Sequence, residues 1–237
     1  MSLAQETNEF YKEGDVRNMK YKGLIFDLDG TLVNSIHALV YCTNLALARF
    51  GLGPLNEEQM MTIVGDGYKM QMRRSLLACG DEELLHYEEI LPVYMEIFSK
   101  NCLYELHAYE GITELLQYAR EQGLKLAVVS NKPHGQAVDT VEAVFGKGFF
   151  DAIIGESNDI PRKPDPTGAL TAARKLGAEP RECLYFGDTN TDMRTGKNAG
   201  MTTVGVLWGF RGRDELESLS PEYLIEKPAE IYAALDA

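Results

Sequence analysis

The sequence predicts an α/β protein whose core is a Rossmann-like, doubly wound parallel sheet, with a small inserted α-helical cap. Two observations support this fold class. Short apolar segments alternate with helical patterns over residues 106–237, whereas residues 34–105 carry helical patterns alone. Alternating strands and helices are typical of βαβ units, whose right-handed crossovers place helices on both faces of a parallel sheet. Because ligands of such sheets bind beyond the carboxyl ends of the strands, polar residues directly after strands are the candidates for a site.

The core elements are predicted from apolar runs and their stop signals. The first strand is expected at 24–26, because the apolar run Leu-Ile-Phe ends abruptly in the turn sequence Asp-Leu-Asp-Gly-Thr. Further strands are predicted at 124–130, 151–154, 183–188 and 202–206. Helices are predicted at about 112–122, 134–145, 166–176 and 190–199. These elements assign residues 19–33 and 106–237 to the core, and residues 1–18 to an N-terminal extension without an assigned function.

Residues 34–105 are predicted to form the cap. Ser35 is the expected N-cap of a first helix that Gly51 ends. Amphipathic helices are predicted to follow at about 56–64, 68–79 and 82–100. Because the chain enters and leaves this insert once each, we expect hinges near 33–35 and 106–109 that let the cap open and close.

Composition and charge narrow the class of partner. The formal net charge of −13 opposes binding to nucleic acid or to an anionic membrane surface, so a small phosphorylated metabolite is a more suitable partner. An anionic substrate then requires a metal ion or a few focused cations. The four cysteines form no CxxC pair, and no apolar stretch reaches the length of a membrane span. These features predict a cytoplasmic protein with reduced thiols, either a monomer or a small homo-oligomer.

Two aspartates follow the first predicted strand. Asp27 and Asp29 are two residues apart, so an extended backbone directs both carboxylates to one side. One carboxylate can then attack phosphorus while the other protonates the leaving oxygen. Crowding of these acids with Asp188, which follows a later strand, predicts a divalent cation. Mg²⁺ takes hard oxygen ligands, so Asp27, Asp188 and a backbone carbonyl are expected to bind it together with water and substrate phosphate.

Phosphate ligands are expected after the other strands. Lys163 supplies an ammonium, Ser130 a hydroxyl, and the backbone near Asn131 further donors. Gly30 and Gly187 allow the backbone to turn tightly and to approach a ligand closely. These cations and donors meet the requirement that the negative net charge creates.

The order of these segments resembles a known family, the haloacid dehalogenase-like phosphatases. Its four ordered motifs resemble DLDGTL at 27–32, VVSNK at 128–132, RKPDP at 162–166 and GDTNTD at 187–192. The resemblance implies that Asp27 is the nucleophile and that Asp29 is the general acid and base. It further implies that Ser130 and Lys163 bind phosphate, and that Asp188 binds Mg²⁺ directly.

The same resemblance implies supporting roles for neighbouring residues. The backbone carbonyl of Asp29 is a third expected metal ligand, and Asp29, Gly30 and Asn131 are expected to contact phosphate. Asp192 is a second acid at the metal end, which acts through water or holds Lys163. Gly187 and Thr31 are expected to support the site.

A finer resemblance, to the phosphoglycolate phosphatase branch, rests on GDG at 65–67, SNKP at 130–133 and WGFR at 208–211. Phosphoglycolate carries a second anion, which a basic side chain of the cap or of the segment after residue 208 could receive. The candidates are Lys69, Arg73, Arg74, Arg211 and Arg213. The alternative interpretation is that the basic side chains of the cap lie on a solvated helix face and bind no ligand.

Three other functions are compatible with parts of this pattern. A phosphosugar mutase of the same fold needs the same Asp27 and Asp29, and a phosphonate hydrolase needs a buried cap lysine such as Lys69 for a Schiff base. A non-enzymatic receiver module needs only a phosphorylated aspartate at a strand end. The cap and Asp29 argue against this last alternative. Each motif alone is commonly a turn, a helix cap or a solvated charge, and the interpretation depends on all four occurring in order.

Overall fold

The computed structural model describes residues 20–236, so the predicted N-terminal extension lies outside the described part of the chain. The strands of this part are β1 (Gly23–Phe26), β2 (Val33–Asn34), β3 (His107–Ala108), β4 (Lys125–Pro133), β5 (Ala152–Glu156), β6 (Cys183–Gly187), β7 (Thr202–Val206) and β8 (Tyr223–Ile225). Within residues 20–236, six of them form one parallel sheet in the order β5-β4-β1-β6-β7-β8. The order reverses direction between β1 and β6, where doubly wound sheets open a crevice. The predicted fold class is confirmed.

Helices connect these strands. The α-helices of residues 20–236 are α1 (Ile36–Ala48), α2 (Glu57–Ile63), α3 (Tyr68–Ala78), α4 (Tyr87–Asn101), α5 (Ile112–Glu121), α6 (His134–Phe145), α7 (Thr167–Leu176), α8 (Asn190–Asn198), α9 (Arg213–Glu217) and α10 (Tyr232–Leu235). Short 3-10 helices lie at Pro180–Glu182 and Pro228–Ile231. Helices α1 to α4 follow one another without an intervening strand, where the sequence predicts helical patterns alone.

The central strand β1 is buried on both faces. Leu24 and Phe26 pack in an apolar cluster that also contains residues of α5 and α6, and Ile25 packs in a second cluster with α7. All three side chains are fully buried. A continuous apolar strand is expected where helices cover both faces of a parallel sheet. The residue that follows this strand, Asp27, therefore enters an environment that the sheet already shields from water.

Helices α1 to α4 enclose a third apolar cluster, with Leu47, Met60 and Tyr94 among its buried members. Phe210, which follows β7 in the chain, also packs into this cluster. The two connections between the sheet and the four helices run side by side, because β2 and β3 pair antiparallel with Val33 opposite Ala108. The helical segment thus carries an apolar core of its own.

The start of α1 differs from the prediction. Ser35 precedes the helix, but its backbone angles, φ −106° and ψ 5°, are not the extended ones that direct an N-cap side chain to the helix amides. Its hydroxyl makes no side-chain cap hydrogen bond. The side-chain oxygen of Asn34 accepts a hydrogen bond from the Ile36 amide at 3.3 Å instead. Asn34 therefore takes the capping role that the sequence assigns to Ser35.

The end of the chain was not predicted in detail. The strand β8 and the helices α9 and α10 have no counterpart among the predicted elements, because three to five residues are too few for a periodic apolar pattern. The strand β4 also continues to Pro133, three residues beyond its predicted end at Ser130. This extension is important for the site, because it carries Asn131 and Lys132.

Two global expectations concern thiols and membranes. Cys42, Cys79, Cys102 and Cys183 are all free, in agreement with the absence of a predicted disulfide. No helix within residues 20–236 combines the length and the apolar character that crossing a membrane requires.

The apolar core of the four-helix segment gives the first prediction. Leu47→Ala removes a fully buried side chain of α1 and is expected to lower the free energy of unfolding by about 2–5 kcal/mol. Leu45→Ala on the same helix removes a side chain that is 38% exposed, so a loss below about 1 kcal/mol is expected. Urea titration of both variants makes the comparison. Equal losses would mean that this cluster contributes no stability of its own.

Candidate active site

The carboxyl ends of β1, β4 and β6 bring the predicted site residues together. Asp27 directly follows β1, and its amide donates a hydrogen bond of 2.9 Å to the carbonyl of Phe186 in the neighbouring strand β6. Asp188 directly follows β6, and Ser130 lies near the end of β4. Because β1 pairs with both other strands, these three residues meet at the crevice.

Three carboxylates form a compact buried cluster. Asp27, Asp188 and Asp192 each offer an oxygen that lies within 4.8 Å of the others. Lys163 lies among them, with its Nζ 2.6 Å from Asp27 Oδ1 and 2.6 Å from Asp192 Oδ1. The Lys163 side chain is only 4% exposed, so it is directed at the acids and not at bulk solvent. One ammonium thus binds two of the three acids.

The electrostatics of this cluster favour an additional cation. Burial, followed by the nearby charge of Asp192, raises the pKa of Asp27 well above its ordinary range and the pKa of Asp188 to about 7. Burial lowers the pKa of the Lys163 ammonium, but the charges of Asp192 and Asp27 outweigh it and raise that pKa. A divalent cation would relieve the repulsion, and carboxylate oxygens are the hard ligands that Mg²⁺ prefers. The residues present therefore fit such an ion.

Asp188 is held at both of its oxygens. The Thr31 hydroxyl donates to Oδ1 at 2.9 Å, and the Phe210 amide donates to Oδ2 at 2.8 Å. Trp208 in turn donates its indole N–H to the Thr31 carbonyl at 3.0 Å. The segment after β7 thereby fixes the orientation of the carboxylate. Thr31, predicted only to support the site, contacts Asp188 directly.

Glycines allow the backbone to approach the acids. Gly30 has φ +91°, and a Cβ there would lie 2.3 Å from Asp188 Oδ2. A Cβ on Gly187 would lie 2.1 Å from the Cβ of Asp192. Both distances are far below van der Waals contact. These two glycines are thus required by close approach to the acids.

Asp192 has two structural functions. Its Oδ2 accepts hydrogen bonds from the Thr189 hydroxyl at 2.6 Å and from the Thr189 amide at 3.1 Å. The Asp192 amide in turn donates to the Thr189 side chain, and these bonds form a capping box at the start of α8. Its Oδ1 binds Lys163. Of the two roles offered for Asp192, the structure shows contact with Lys163. The capping box holds the Asp192 carboxylate in place, and the carboxylate in turn fixes the position of the Lys163 ammonium.

Asp29 lies apart from the three-acid cluster and has a different partner. Both of its carboxylate oxygens contact the Nζ of Lys132, at 2.8 and 3.1 Å. The Asp29 side chain is 21% exposed, whereas that of Lys132 is only 3% exposed. Lys132 belongs to the VVSNK motif at 128–132, but the motif alone predicts no role for it. Its spacing of two residues from Ser130 in an extended strand could have indicated a common face.

Ser130 and Asn131 directly precede Lys132 in β4, and Asn131 also contacts Lys163. The Ser130 hydroxyl accepts a hydrogen bond from the Lys132 amide at 3.1 Å and lines the cavity beside the acids. The Asn131 side-chain oxygen accepts from the Lys163 amide at 2.8 Å, and its amide group donates to the Gly65 carbonyl at 3.1 Å. Asn131 therefore links the loop of Lys163 to the four-helix segment. Its amide group also donates to the Lys163 carbonyl at 3.5 Å, so the side chain makes three structural contacts.

A small cavity separates the acids from helices α3 and α4. Its volume is about 60 Å³, which is enough to hold water, since a cavity needs at least about 10–15 Å³ for one molecule. The lining residues are Asp27, Asp29, Leu39, Val64, Gly65, Gly67, Tyr68, Gln71, Tyr94, Phe98, Ser130, Asn131, Lys132, Pro133, Gln136 and Phe210. A small ligand is therefore expected while the helices stay in this position.

The loop between α2 and α3 closes one side of the cavity by binding the core. Arg211 donates to the carbonyl of Val64 at 2.7 Å and also to that of Met61. The Thr191 hydroxyl donates to Asp66 Oδ1 at 2.7 Å, and Arg162 donates to the Asp66 carbonyl at 3.2 Å. Core side chains thus hold this loop against the site.

The five cations proposed to receive a second anion do not line this cavity. Lys69 and Arg73 are exposed, and Arg74 pairs with Asp66 at 2.5 Å. Arg213 pairs with acidic neighbours in the chain and Arg211 binds loop carbonyls. The exposure of Lys69 also argues against a phosphonate hydrolase, because its Schiff-base lysine would have to be buried.

The sequence model of the haloacid dehalogenase-like hydrolases matches residues 24–206, more than half of the chain. The chain belongs to this family. All four motifs lie within the matched range. The parallel sheet, with acids at the carboxyl ends of its strands, is consistent with this membership. The predicted family is thus confirmed.

Relatives and a solved structure agree with this membership. The chain is 31% identical over 224 residues to a phosphoglycolate phosphatase of Haemophilus influenzae, which covers 92% of this chain and 100% of the relative. It is 30% identical to a phosphoglycolate phosphatase of Aquifex aeolicus, over 90% of this chain and 96% of the relative. A crystal structure from Lactobacillus delbrueckii subsp. bulgaricus superposes with a TM-score of 0.83 at 28% identity, and covers 92% and 99% of the two chains. These similarities confirm the predicted resemblance to the phosphoglycolate phosphatase branch and the prediction of a phosphoric monoester hydrolase.

The approach of Gly30 to Asp188 gives the second prediction. Gly30→Ala is expected to lower the free energy of unfolding by about 1–3 kcal/mol more than Gly51→Ala, because the new Cβ would overlap a buried carboxylate. Gly51 also has positive φ, at +72°, but open space surrounds its Cβ position, so its substitution isolates the cost of the backbone conformation. Chemical denaturation measures both. Equal losses would show that the contact at Asp188 is readily relieved.

Proposed function

We propose that the chain is a Mg²⁺-dependent phosphatase that hydrolyses a small phosphate monoester through an aspartyl-phosphate on Asp27. The observation that carries the proposal is the meeting of Asp27, Asp188 and Lys163 beside a cavity that Asp29 also lines. Within one shielded crevice, Asp27 supplies the nucleophile, Asp29 the general acid and Lys163 a phosphate-binding cation.

Asp27 acts as the nucleophile. Lys163 binds its Oδ1, which leaves Oδ2 to attack phosphorus, while the bond from phosphorus to the leaving oxygen breaks. Lys163 and the Ser130 hydroxyl donate to oxygens of the transferred phosphoryl group. Asp27, Asp188 and the backbone carbonyl of Asp29 would hold the Mg²⁺ ion. When bound, the ion keeps these acids ionised and neutralises charge on the phosphoryl group.

Asp29 acts as the general acid and base. It gives a proton to the leaving oxygen and later accepts one from the water that hydrolyses the aspartyl-phosphate. This division of labour requires two carboxylates in different environments. Asp27 lies in the buried cluster with Lys163, whereas Asp29 is partly exposed and faces Lys132. The difference supports distinct roles.

Residues 34–105 act as a cap that excludes water during transfer. The contacts of Asn131 and Arg211 with the loop between α2 and α3 support a closed arrangement, and the paired strands β2 and β3 support hinges near 33–35 and 106–109. Opening would have to break these hydrogen bonds before product leaves.

The proposed substrate is 2-phosphoglycolate, the compound in the names of the relatives from Haemophilus influenzae and Aquifex aeolicus. The small cavity supports a substrate of this size over the phosphosugar of a mutase, which uses the same Asp27 and Asp29. The cytoplasmic location and the oligomeric state, a monomer or a small homo-oligomer, stay predictions from the sequence.

The third prediction tests the nucleophile. Asp27→Asn is expected to lower the rate of phosphate release from 2-phosphoglycolate by at least about a thousandfold, because the amide cannot attack phosphorus. Asp159→Asn changes an exposed aspartate outside the site and is the matched control. Borohydride reduction of the enzyme during turnover should convert Asp27 into homoserine, detected by mass spectrometry. Turnover by Asp27→Asn near the rate of the control would rule out this nucleophile.

The fourth prediction concerns the metal and pH. The raised pKa of Asp188, about 7, means that the metal-free folded protein binds a proton more tightly than the unfolded chain. This contribution stabilises the metal-free fold below that pKa and is lost as pH rises through about 7. Because Mg²⁺ displaces the proton, its apparent affinity should fall about tenfold per pH unit below 7.

The measurement is the Mg²⁺-induced rise in melting temperature, which should be larger at pH 8 than at pH 5.5. Asp188→Asn should lose most of this rise at both pH values, whereas the surface control Asp159→Asn should keep it. An equal rise at both pH values, or a full rise in Asp188→Asn, would contradict the assignment of Asp188 as a ligand.

A further inference from the structure

Lys132 is a charged residue of the cavity to which the proposed chemistry gives no task. Of the described residues that line the cavity, it is the one cation, and Asp27 and Asp29 are the anions. The wall that the four-helix segment contributes is apolar or neutral, with Gln71 and Tyr94 hydrogen-bonded to each other at 3.2 Å. A second anionic group of a substrate would therefore meet one positive charge there.

The surroundings of Lys132 are unusual for a structural lysine. Its side chain is 3% exposed, both of its side-chain hydrogen bonds go to Asp29, and the Phe98 ring lies 5.2 Å from its Nζ. Removing an ammonium from water is costly, and a single pair with a partly exposed carboxylate offsets that cost poorly. An ammonium also has three donors. The geometry leaves it able to bind an additional acceptor that enters the cavity.

We propose that Lys132 is the specificity-determining residue that binds a carboxylate on the leaving group of the substrate. The site would then select phosphorylated hydroxy acids over uncharged phosphate esters. This inference rests on the proposed function, because it takes Asp29 as the residue that contacts the leaving oxygen.

The position of Lys132 relative to the reacting groups supports this substrate class. Asp29 contacts the leaving oxygen in the proposed reaction, and Lys132 Nζ contacts both oxygens of Asp29. A carboxylate one carbon away from the leaving oxygen would thus lie beside the ammonium. Ser130, proposed to bind the phosphoryl group, is two residues earlier in the same strand and lines the same cavity. One strand would then recognise both ends of a small substrate.

The alternative cations are engaged elsewhere. Lys163 lies between Asp27 and Asp192 and does not line the cavity, and in the proposed reaction it binds the transferred phosphoryl group and not the leaving group. Arg211 and Arg74 bind carbonyls or an acid of the four-helix segment, and Lys69 is exposed. In the described part of the chain, Lys132 is thus the cation placed to meet a substrate carboxylate.

The experiment compares two substrates that differ in charge and little in shape, 2-phosphoglycolate and its neutral amide, 2-phosphoglycolamide. Lys132→Met is expected to lower kcat/KM for 2-phosphoglycolate about 10- to 150-fold more than for the amide, since it removes a hydrogen bond between charged groups. Lys132→Arg should keep part of the preference. Lys69→Met removes an exposed cap lysine and should leave the preference at the wild-type value.

A purely structural Lys132 predicts a different result, because misplacement of Asp29 would slow both substrates equally and leave their ratio unchanged. That outcome would overturn the inference while the proposed phosphatase stands. If the wild-type protein releases phosphate from none of the three compounds, 2-phosphoglycolate, its amide and p-nitrophenyl phosphate, the proposed function is refuted and the inference with it.

Binding provides a second measurement if Lys132→Met is inactive on both substrates. Calorimetry in an Asp27→Asn background should show that Lys132→Met weakens binding of 2-phosphoglycolate about 10- to 150-fold while binding of the amide changes little. Equal weakening for both compounds would overturn the inference. Circular dichroism of each variant confirms that it is folded.

Discussion

The arrangement of the site depends on one buried ion cluster, in which Lys163 lies between Asp27 and Asp192 with Asp188 close by. Acids this close repel one another, and burial removes the water that would screen them. A single ammonium relieves part of that repulsion and a divalent cation would relieve the rest. The surrounding polypeptide holds the cluster in place through the helix cap at Thr189 and the donors to Asp188.

The fold explains why residues far apart in the chain can supply this cluster. The sheet reverses its direction of winding between β1 and β6, so Asp27 and Asp188 follow adjacent strands although 161 positions separate them. Gly30 and Gly187 let the backbone pass within contact distance of the acids. The segment after β7 completes the site, since Phe210 binds Asp188 through its amide while its side chain packs into the four-helix cluster. The position of the four helices is thereby linked to the orientation of a proposed metal ligand.

Much of this arrangement could be predicted, because the residues after buried strands form short, ordered motifs and parallel strands place their carboxyl ends together. Side-chain partnerships were harder to predict. Lys132 is sequence-adjacent to predicted ligands, but its contact with Asp29 depends on a strand that continues past Ser130. The five basic candidates for a second anion do not line the cavity, and a sequence gives their charge but neither the exposure of Lys69 and Arg73 nor the acids and carbonyls that bind the other three. Asn34 likewise replaces Ser35 as the cap because local backbone angles decide which side chain reaches the amide.

The central claim is that Asp27 and Asp188 share one divalent cation beside Lys163. Crystals soaked in Mn²⁺, a Mg²⁺ substitute with strong anomalous scattering, test this claim most directly. One anomalous peak is expected between the carboxylates of Asp27 and Asp188, about 2.0–2.3 Å from an oxygen of each. A peak bound to Asp192 in place of Lys163, or no peak near Asp27, would contradict the account.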